Sequence, residues 1–284
     1  MNILITGSNG FIGSTLAKAL SQHNVVSYTR SQYGDIAEID FDKLPISNFD
    51  VVYHLASTVH NYHILDNPYI DVQTNCIGTI KILENMRKYC PLCKLVFVST
   101  FFVNNGNPLG LYGASKLFAE NACRIYSKVF NIDVSIARLC NVFGCGESTT
   151  NNKKNAFMRL VLRLYRHESI DLYDELVYRD LIYIYDVISA LTIIAEKGRP
   201  QHIYTVGTGT KHIFKDVIFS IKEYLHSNSE IVLIKPPEFH KQVGVLNFTY
   251  ETESLQALGW NPKFSILDGV ADMLLNHTDF QVKQ

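Results

Sequence analysis

Residues 2 to 13 constrain the fold of this chain more than any other stretch. Asn2-Ile-Leu-Ile-Thr6 reads as a buried strand and runs straight into Gly7-Ser-Asn-Gly10-Phe-Ile-Gly13. A helical pattern follows, with Ile12, Leu16, Ala19 and Leu20 on one side. Strand, glycine-rich turn and helix in that order form a dinucleotide-binding element. Gly7 permits the tight turn, Gly10 lets the backbone approach a pyrophosphate, and Gly13 lets helix pack on strand. The glycines are spaced three and three, a variant of the two-and-three fingerprint. Gly7, Asn9, Gly10, Phe11, Ile12 and Gly13 are therefore the first cofactor-binding candidates. The competing reading is a glycine-rich turn with no ligand.

Apolar runs alternate with helical segments through the first half. The pattern predicts strands at 2–6, 24–28, 51–54, 94–99 and 133–138, and helices at 11–22, 68–90 and 112–130. That rhythm implies an α/β fold built on a doubly wound, parallel Rossmann sheet, with ligands at the carboxyl ends of its strands. Residues 147–155 read as a polar loop, followed by a helix near 156–167. A strand near 181–185, a helix at 186–197 and a strand at 202–205 are expected to rejoin the first domain. The expected division is a cofactor-binding domain of 1–141 plus about 181–205, and a smaller substrate-binding lobe of 142–180 plus 206–284.

The 284 residues carry a net charge of −1, which offers no electrostatic case for nucleic acid or an anionic membrane as partner. Met1 leads directly into the first strand, and the apolar stretch 181–195 is interrupted by Asp186. The expectation is a cytoplasmic protein. Six cysteines in a chain this size do not make a disulfide framework, and Cys90-Pro-Leu-Cys93 lacks the second pair a zinc site needs, so no metal is expected.

Tyr112 and Lys116 stand four residues apart, a spacing that stacks both on one helix face. A phenol beside an ammonium can exchange a proton nearer neutrality than a lone tyrosine, whose pKa is about 10. With 16 tyrosines in the chain the spacing alone proves little, and its weight comes from the turn upstream.

Gly7-x-x-Gly10-x-x-Gly13, His54-Leu-Ala-Ser57, Asn75, Ser99-Thr100 and Tyr112-x-x-x-Lys116 together resemble the extended short-chain dehydrogenase/reductase family. Arg138-x-x-Asn141-Val-Phe-Gly144, Arg179-Asp-Leu-Ile-Tyr-Ile-Tyr-Asp186, Tyr204-Thr-Val-Gly-Thr-Gly209 and Leu255-Gln-Ala-Leu-Gly-Trp-Asn-Pro262 are similar to later signatures of its nucleotide-sugar branch. The resemblance runs along nearly the whole chain. It implies Leu55, Ala56, Ser57 and Asn75 as further cofactor-binding residues, with Asn75 positioning an internal water. It also implies a homodimer packed through the helices at 68–90 and 112–130.

The end of the second strand bears on which dinucleotide is bound. An acid there takes the adenine ribose hydroxyls of NAD, whereas a base accommodates the 2′-phosphate of NADP. The strand ends Ser27-Tyr-Thr-Arg30-Ser31, with no acid before Asp35. Arg30 can grip a phosphate through its planar fork and Ser31 can add a hydrogen bond, so NADP(H) is the expected cofactor. A surface arginine without a ligand is the alternative. Asp40, after a short predicted strand Glu38-Ile-Asp40, and Phe41 fall where the family often contacts the adenine.

The chemistry implied is hydride transfer at a sugar carbonyl, with Tyr112 as proton donor, Lys116 lowering the tyrosine pKa and holding the nicotinamide ribose, and Thr100 orienting the sugar oxygen. Ser99 is the fallback for Thr100. Phe101 and Phe102 stand where the 4,6-dehydratases of the family carry an acid and a base, so dehydration is not expected. The short link from Thr100 to Tyr112 is similar to that of small 4-ketoreductases of deoxysugar pathways, such as CDP-abequose and CDP-paratose synthases. The expected substrate is a nucleotide-diphosphate sugar held by Asn141 and Arg179, with amides near 156–158 assisting. Lys241 and His240 offer the only second clamp between 235 and 244. Thr58, His60, Phe101 and Phe102 would line the sugar pocket, while His54 reads as a packed residue at a strand end. A salt bridge to Asp180 or Asp186 is the structural alternative for Arg179. The rival functions are an NAD-dependent nucleotide-sugar 4-epimerase, a non-catalytic NADP-sensing protein, and a reductase of non-nucleotide carbonyls.

Overall fold

The computed structural model describes all residues except 60–61, 107, 109, 149–155, 244–250 and 282–284. His60 and Gly244 lie outside the described residues, as does most of the 147–155 loop.

Strand β1 (Asn2–Thr6) is followed by helix α1 (Phe11–Ala19), β2 (Asn24–Tyr28), β3 (Val51–His54), β4 (Lys94–Thr100) and β5 (Asp133–Leu139). A further strand, Ile203–Val206, completes a six-stranded sheet, which reads from that edge Ile203–Val206, β5, β4, β3, β1, β2. Every pairing in it is parallel. β3 and β4 are buried at every position, as a parallel sheet covered on both faces requires. One covering layer packs Ile82, Leu83 and Met86 of the helix Gly78–Tyr89 and Ala119 and Cys123 of the helix Gly110–Phe130 against Leu4, Val52, Leu95 and Phe97.

β1 has β2 on one side and β3 on the other, so the winding reverses between β1 and β3. The loops after these two strands therefore flank a topological switch point, where ligands of open α/β sheets bind. The predicted short strand Glu38-Ile-Asp40 does not form. Ile36–Glu38 is a 3₁₀ turn, and Asp40 caps a second one, Phe41–Lys43, by accepting from Asp42 N at 3.2 Å. Local capping by Asp35 and Asp40 wins over the edge pairing that a third strand on that side would have made.

The chain divides into two compact units: Met1–Leu139, Ile188–Val206 and Thr252–Trp260 in the first, and Cys140–Val187, Gly207–Glu251 and Asn261–Gln284 in the second. The segment Thr252–Trp260, expected in the smaller lobe, lies in the first unit, where Trp260 is buried and its Nε1 donates to Ser189 Oγ at 2.8 Å. Leu181–Tyr183, expected to rejoin the large sheet, instead pairs with Asn141–Phe143 in a separate two-stranded sheet. Two more small sheets join Ile170–Tyr173 to Ile231–Ile234 and Tyr178–Arg179 to His212–Ile213. Phe143, Phe157 and Tyr183 pack ring against ring within that second unit.

Candidate active site

The turn after β1 is set by close contacts that leave no room for side chains. Gly7 has φ +70°, and a Cβ there would lie 2.8 Å from Ala56 N. A Cβ on Gly13 would lie 2.3 Å from Gly7 O. The β1 turn thus rests directly on the Leu55–Ser57 loop after β3. Gly10 is the N-cap of α1 and supplies no side-chain cap, so the first amides of the helix, at Phe11, Ile12 and Gly13, keep their donors for an anion. Asn9 is exposed on the same turn. This cradle fits a dinucleotide pyrophosphate.

Below the turn, Thr6 Oγ1 bonds His54 Nδ1 at 2.7 Å and receives Ala56 N at 3.1 Å, while His54 Nε2 meets Thr79 Oγ1 at 3.1 Å. Thr79 donates its own proton to Asn75 O at 2.6 Å, so it accepts from His54 and the imidazole carries its proton on Nε2. Burial, and secondly the Lys116 charge, push His54 down to about 3. It is a neutral strut between strand and helix.

Asn75 sits in a π-helical turn, Val72–Ile77. Its Oδ1 accepts from Ser57 Oγ at 2.9 Å and Thr58 N at 3.0 Å, and its Nδ2 donates to Thr58 Oγ1 at 2.7 Å and Ser115 Oγ at 2.9 Å. Two donors and two acceptor sites exhaust the amide. Its side chain thereby ties the Ser57–Thr58 loop to the 110–130 helix. Thr58 is itself buried, and its hydroxyl donates to buried Asp71.

Tyr112 is buried, with Thr100 and Ser57 hydrogen-bonding its hydroxyl. Phe102 meets its ring edge-on at 5.8 Å, and Phe101 stacks beside Phe102 at 4.5 Å. Ser99 lies on the opposite face of β4, where it donates to Glu120 Oε1 at 2.5 Å. Glu120 also receives Arg138 twice, Nε at 2.9 Å and Nη2 at 2.6 Å.

Lys116 is buried on the same helix as Tyr112. Its Nζ donates to Val98 O at 2.7 Å and stands over the Phe97 ring at 4.2 Å. Burial pulls Lys116 down to about 8 and lifts Tyr112 to about 12.

Arg30 is exposed but not idle: its Nη2 pairs with Asp35, which also accepts from Ala37 N at 3.0 Å. Burial raises the Asp35 carboxyl, but the Ala37 amide and Arg30 together hold it below its ordinary value. Ser31 Oγ bonds Thr29 Oγ1 at 3.2 Å. The Phe41 side chain is fully buried against Phe49 at 5.2 Å and Tyr89 at 6.4 Å, because an aromatic side chain gains more from the core than from a turn surface.

In the second unit, Asn141 N donates to Asp180 O at 3.0 Å, and its side-chain Oδ1 is buried without a hydrogen-bond partner among the described residues. Arg179 Nη1 donates to Tyr178 O at 2.7 Å, and burial lowers the guanidinium to about 10. The carboxylates of Asp180 and Asp186 are taken by backbone amides: Thr208 and Gly209 at 2.9 Å on the first, Lys263 at 2.9 Å and Phe264 at 3.0 Å on the second. Lys241 pairs with Glu238 at 3.7 Å, and His240 Nδ1 bonds Tyr173.

Three participants escaped the sequence reading. Ser115, Asp71 and Glu120 carry no motif of their own. Their signal was spacing: Ser115 one turn from Tyr112, and Asp71 four residues before Asn75. Among the described residues no group of three or more metal-ligating side chains is gathered, and no helix is long and apolar enough to cross a membrane.

Residues 3–207 match the model of the NAD dependent epimerase/dehydratase family. The UDP-glucose 4-epimerase of Mycolicibacterium smegmatis is 24% identical over an alignment covering 95% of this chain and 96% of that protein. Among solved structures, the UDP-glucose 4-epimerase of Thermotoga maritima with UDP-glucose superposes with a TM-score of 0.86 at 23% identity, covering 97% of this chain and 98% of that one. RMD from Pseudomonas aeruginosa complexed with NADPH gives 0.82 at 20% identity, covering 97% and 98%.

Proposed function

Because the chain belongs to the NAD dependent epimerase/dehydratase family, we propose that it reduces a nucleotide-linked sugar ketone with NADPH. The substrate is a 4-keto-(di)deoxyhexose on a nucleoside diphosphate and the product its 4-hydroxy sugar, in deoxysugar assembly of the O-antigen type. The observation that carries this reading is the buried phenol of Tyr112 with the Thr100 hydroxyl upon it. A neutral phenol is the reactant that a reduction needs, since the new alkoxide takes its proton.

The bound nicotinamide would supply the hydride. The Gly7–Gly13 turn would hold its pyrophosphate, the Leu55–Ser57 loop and Lys116 its nicotinamide half, and Arg30 with Ser31 a 2′-phosphate near Asp40. Tyr112 gives its proton to the sugar oxygen, and Thr100 orients that oxygen by a hydrogen bond. Asn141, Arg179 and Lys241 are the residues we assign to the diphosphate. Phe101 and Phe102 supply no acid or base for eliminating water, which argues against dehydration.

A homodimer accompanies this reading. Phe118, Ile125 and Val129 repeat along one stripe of the 110–130 helix and are exposed.

The second reading is an NAD-dependent nucleotide-sugar 4-epimerase, favoured by the UDP-glucose 4-epimerases among the relatives and by Asp35 occupying Arg30. The cofactor released on denaturing freshly purified protein separates the two. Little bound cofactor, NADPH preference and turnover of 4-keto nucleotide sugars are expected; stoichiometric retained NAD would make it an epimerase.

A further inference from the structure

Glu120 is a carboxylate at 1% exposure inside the first unit, and no step of the proposed reaction uses it. It follows Lys116 by one turn and Tyr112 by two on the 110–130 helix, so the three share a helix face. Its partners sit on two strands of the large sheet. Ser99 on β4 and Arg138 on β5 are register neighbours, so their side chains leave the sheet side by side. Ser99 Oγ donates to Glu120 Oε1 at 2.5 Å. Arg138 donates through Nε to Oε1 at 2.9 Å and through Nη2 to Oε2 at 2.6 Å. One carboxylate thus ties the helix to β4 and β5 together.

Cohesion alone does not call for this arrangement. A buried ion pair is costly to desolvate, and apolar side chains of similar volume hold elements together about as well. What the pair adds is direction, since a guanidinium fork meets a carboxylate in one alignment. Alignment matters at this place because Thr100 is the next residue of β4 and Tyr112 lies on the helix. Lys116 Nζ pins the same helix to the same strand at Val98 O, 2.7 Å away and one residue before Ser99. At the Tyr112 end the approach is tight: a Cβ on Gly113 would lie 2.5 Å from Phe102 O, and Phe102 meets the Tyr112 ring at 5.8 Å. A misplacement of about 1 Å between reacting groups costs up to about a hundredfold in rate.

We propose that Glu120 is a positioning residue: held by Arg138 and Ser99, it sets the register of the 110–130 helix on β4 and so the spacing of the Tyr112 and Thr100 hydroxyls. The assignment rests on the hydride-transfer reading above, in which both hydroxyls act on one sugar oxygen. Two of the three bonds come from Arg138, so the anchor survives loss of the Ser99 hydroxyl alone.

The test is a double-mutant cycle on the full chain: wild type, Glu120→Gln, Thr100→Val and the double variant, assayed with a 4-keto nucleotide sugar. Glu120→Gln keeps the shape and the acceptor for Ser99 but removes the charge that aligns Arg138. Its kcat is expected to fall roughly tenfold to a hundredfold, with KM and NADPH affinity within about twofold of wild type. In the Thr100→Val background the same change should cost less than about threefold, because the geometry it controls is already lost. A residue that only stabilises the fold lowers kcat by one factor in both backgrounds. Equal factors, or no loss in either, would overturn the proposal. Should Glu120→Gln not fold, Glu120→Met combined with Arg138→Met removes both charges at once, a replacement buried pairs tolerate, and takes its place in the cycle.

Absence of turnover on any nucleotide sugar would remove the hydride-transfer reading, and a measurement without substrate then decides for Glu120. In protein carrying [¹³Cζ]tyrosine at neutral pH, the Tyr112 resonance is identified by its loss in Tyr112→Phe. It should move in Glu120→Gln in the direction it moves in Thr100→Val. A resonance that stays, or moves the other way, overturns the assignment.

Discussion

Ser99 donates its hydroxyl to Glu120 at 2.5 Å, on the face of its strand opposite to the one from which Thr100 reaches Tyr112. Strand alternation separates two adjacent hydroxyls into a structural one and one beside the phenol. Thr100→Val should lower kcat by about a hundredfold or more, as loss of an oxyanion-orienting donor does. Ser99→Ala should leave kcat within a few-fold and cost about 1 kcal/mol of stability. Steady-state kinetics and urea unfolding on both variants check the assignment, and the reverse pattern would make Ser99 the working hydroxyl.

Tyr112→Phe removes one oxygen and leaves the ring packed against Phe102. Turnover should fall by about a hundredfold to ten-thousandfold, the range for loss of a general acid. NADPH affinity, measured by fluorescence titration, should stay nearly unchanged; a large loss of affinity would recast Tyr112 as a cofactor contact.

Arg30 and Asp35 make opposite predictions for the two dinucleotides. Arg30→Asp should weaken NADPH by roughly tenfold or more, the worth of a charge-assisted hydrogen bond, while NADH changes little. Asp35→Asn releases Arg30 from an exposed ion pair, so NADPH should bind up to about fivefold more tightly. Equal losses for NADPH and NADH in Arg30→Asp would remove the phosphate clamp.

His54 predicts an acid sensitivity. Its imidazole is held neutral, at about 3 against an ordinary 6.5, chiefly by burial. Between those values the unfolded chain binds the extra proton and the folded one does not, so stability declines as pH falls from 6.5 towards 3. The loss should be on the order of 2 kcal/mol at pH 5. Thermal melting of wild type and His54→Gln across that window tests it: the slope should flatten in the variant.

Ile125 lies in the middle of the exposed stripe formed with Phe118 and Val129. Ile125→Glu should convert a dimer to a monomer in sedimentation velocity without changing the far-ultraviolet circular dichroism. A monomeric wild type would leave that face without the role proposed for it.

Much of the first unit was legible because its signals are local. β1, β2 and β3 fall on the expected residues, and β4 and β5 extend one residue further, since unbroken apolar runs between turn residues have few other uses in a parallel sheet. The same locality misled at Glu38-Ile-Asp40, where two capping aspartates compete with an edge strand, and at Leu181–Tyr183, whose apolar run does not say which sheet it joins. Within the site, Tyr112, Lys116 and Thr100 were visible as residue types at known spacings. Asp71 and Ser115 were not, because each acts on residues distant in sequence.

The amino-acid sequence by itself determined the parallel α/β architecture, the glycine turn and the family, through periodicity and steric demands that act over a few residues. Only the tertiary structure decided which partners surround the site residues. It buried Lys116 against Val98 and Phe97, filled every hydrogen-bonding site of Asn75, set Asp71 beside the Tyr112 network, and paired Arg30 with Asp35. Desolvation and charge proximity depend on which segments pack together, and no spacing along the chain encodes that.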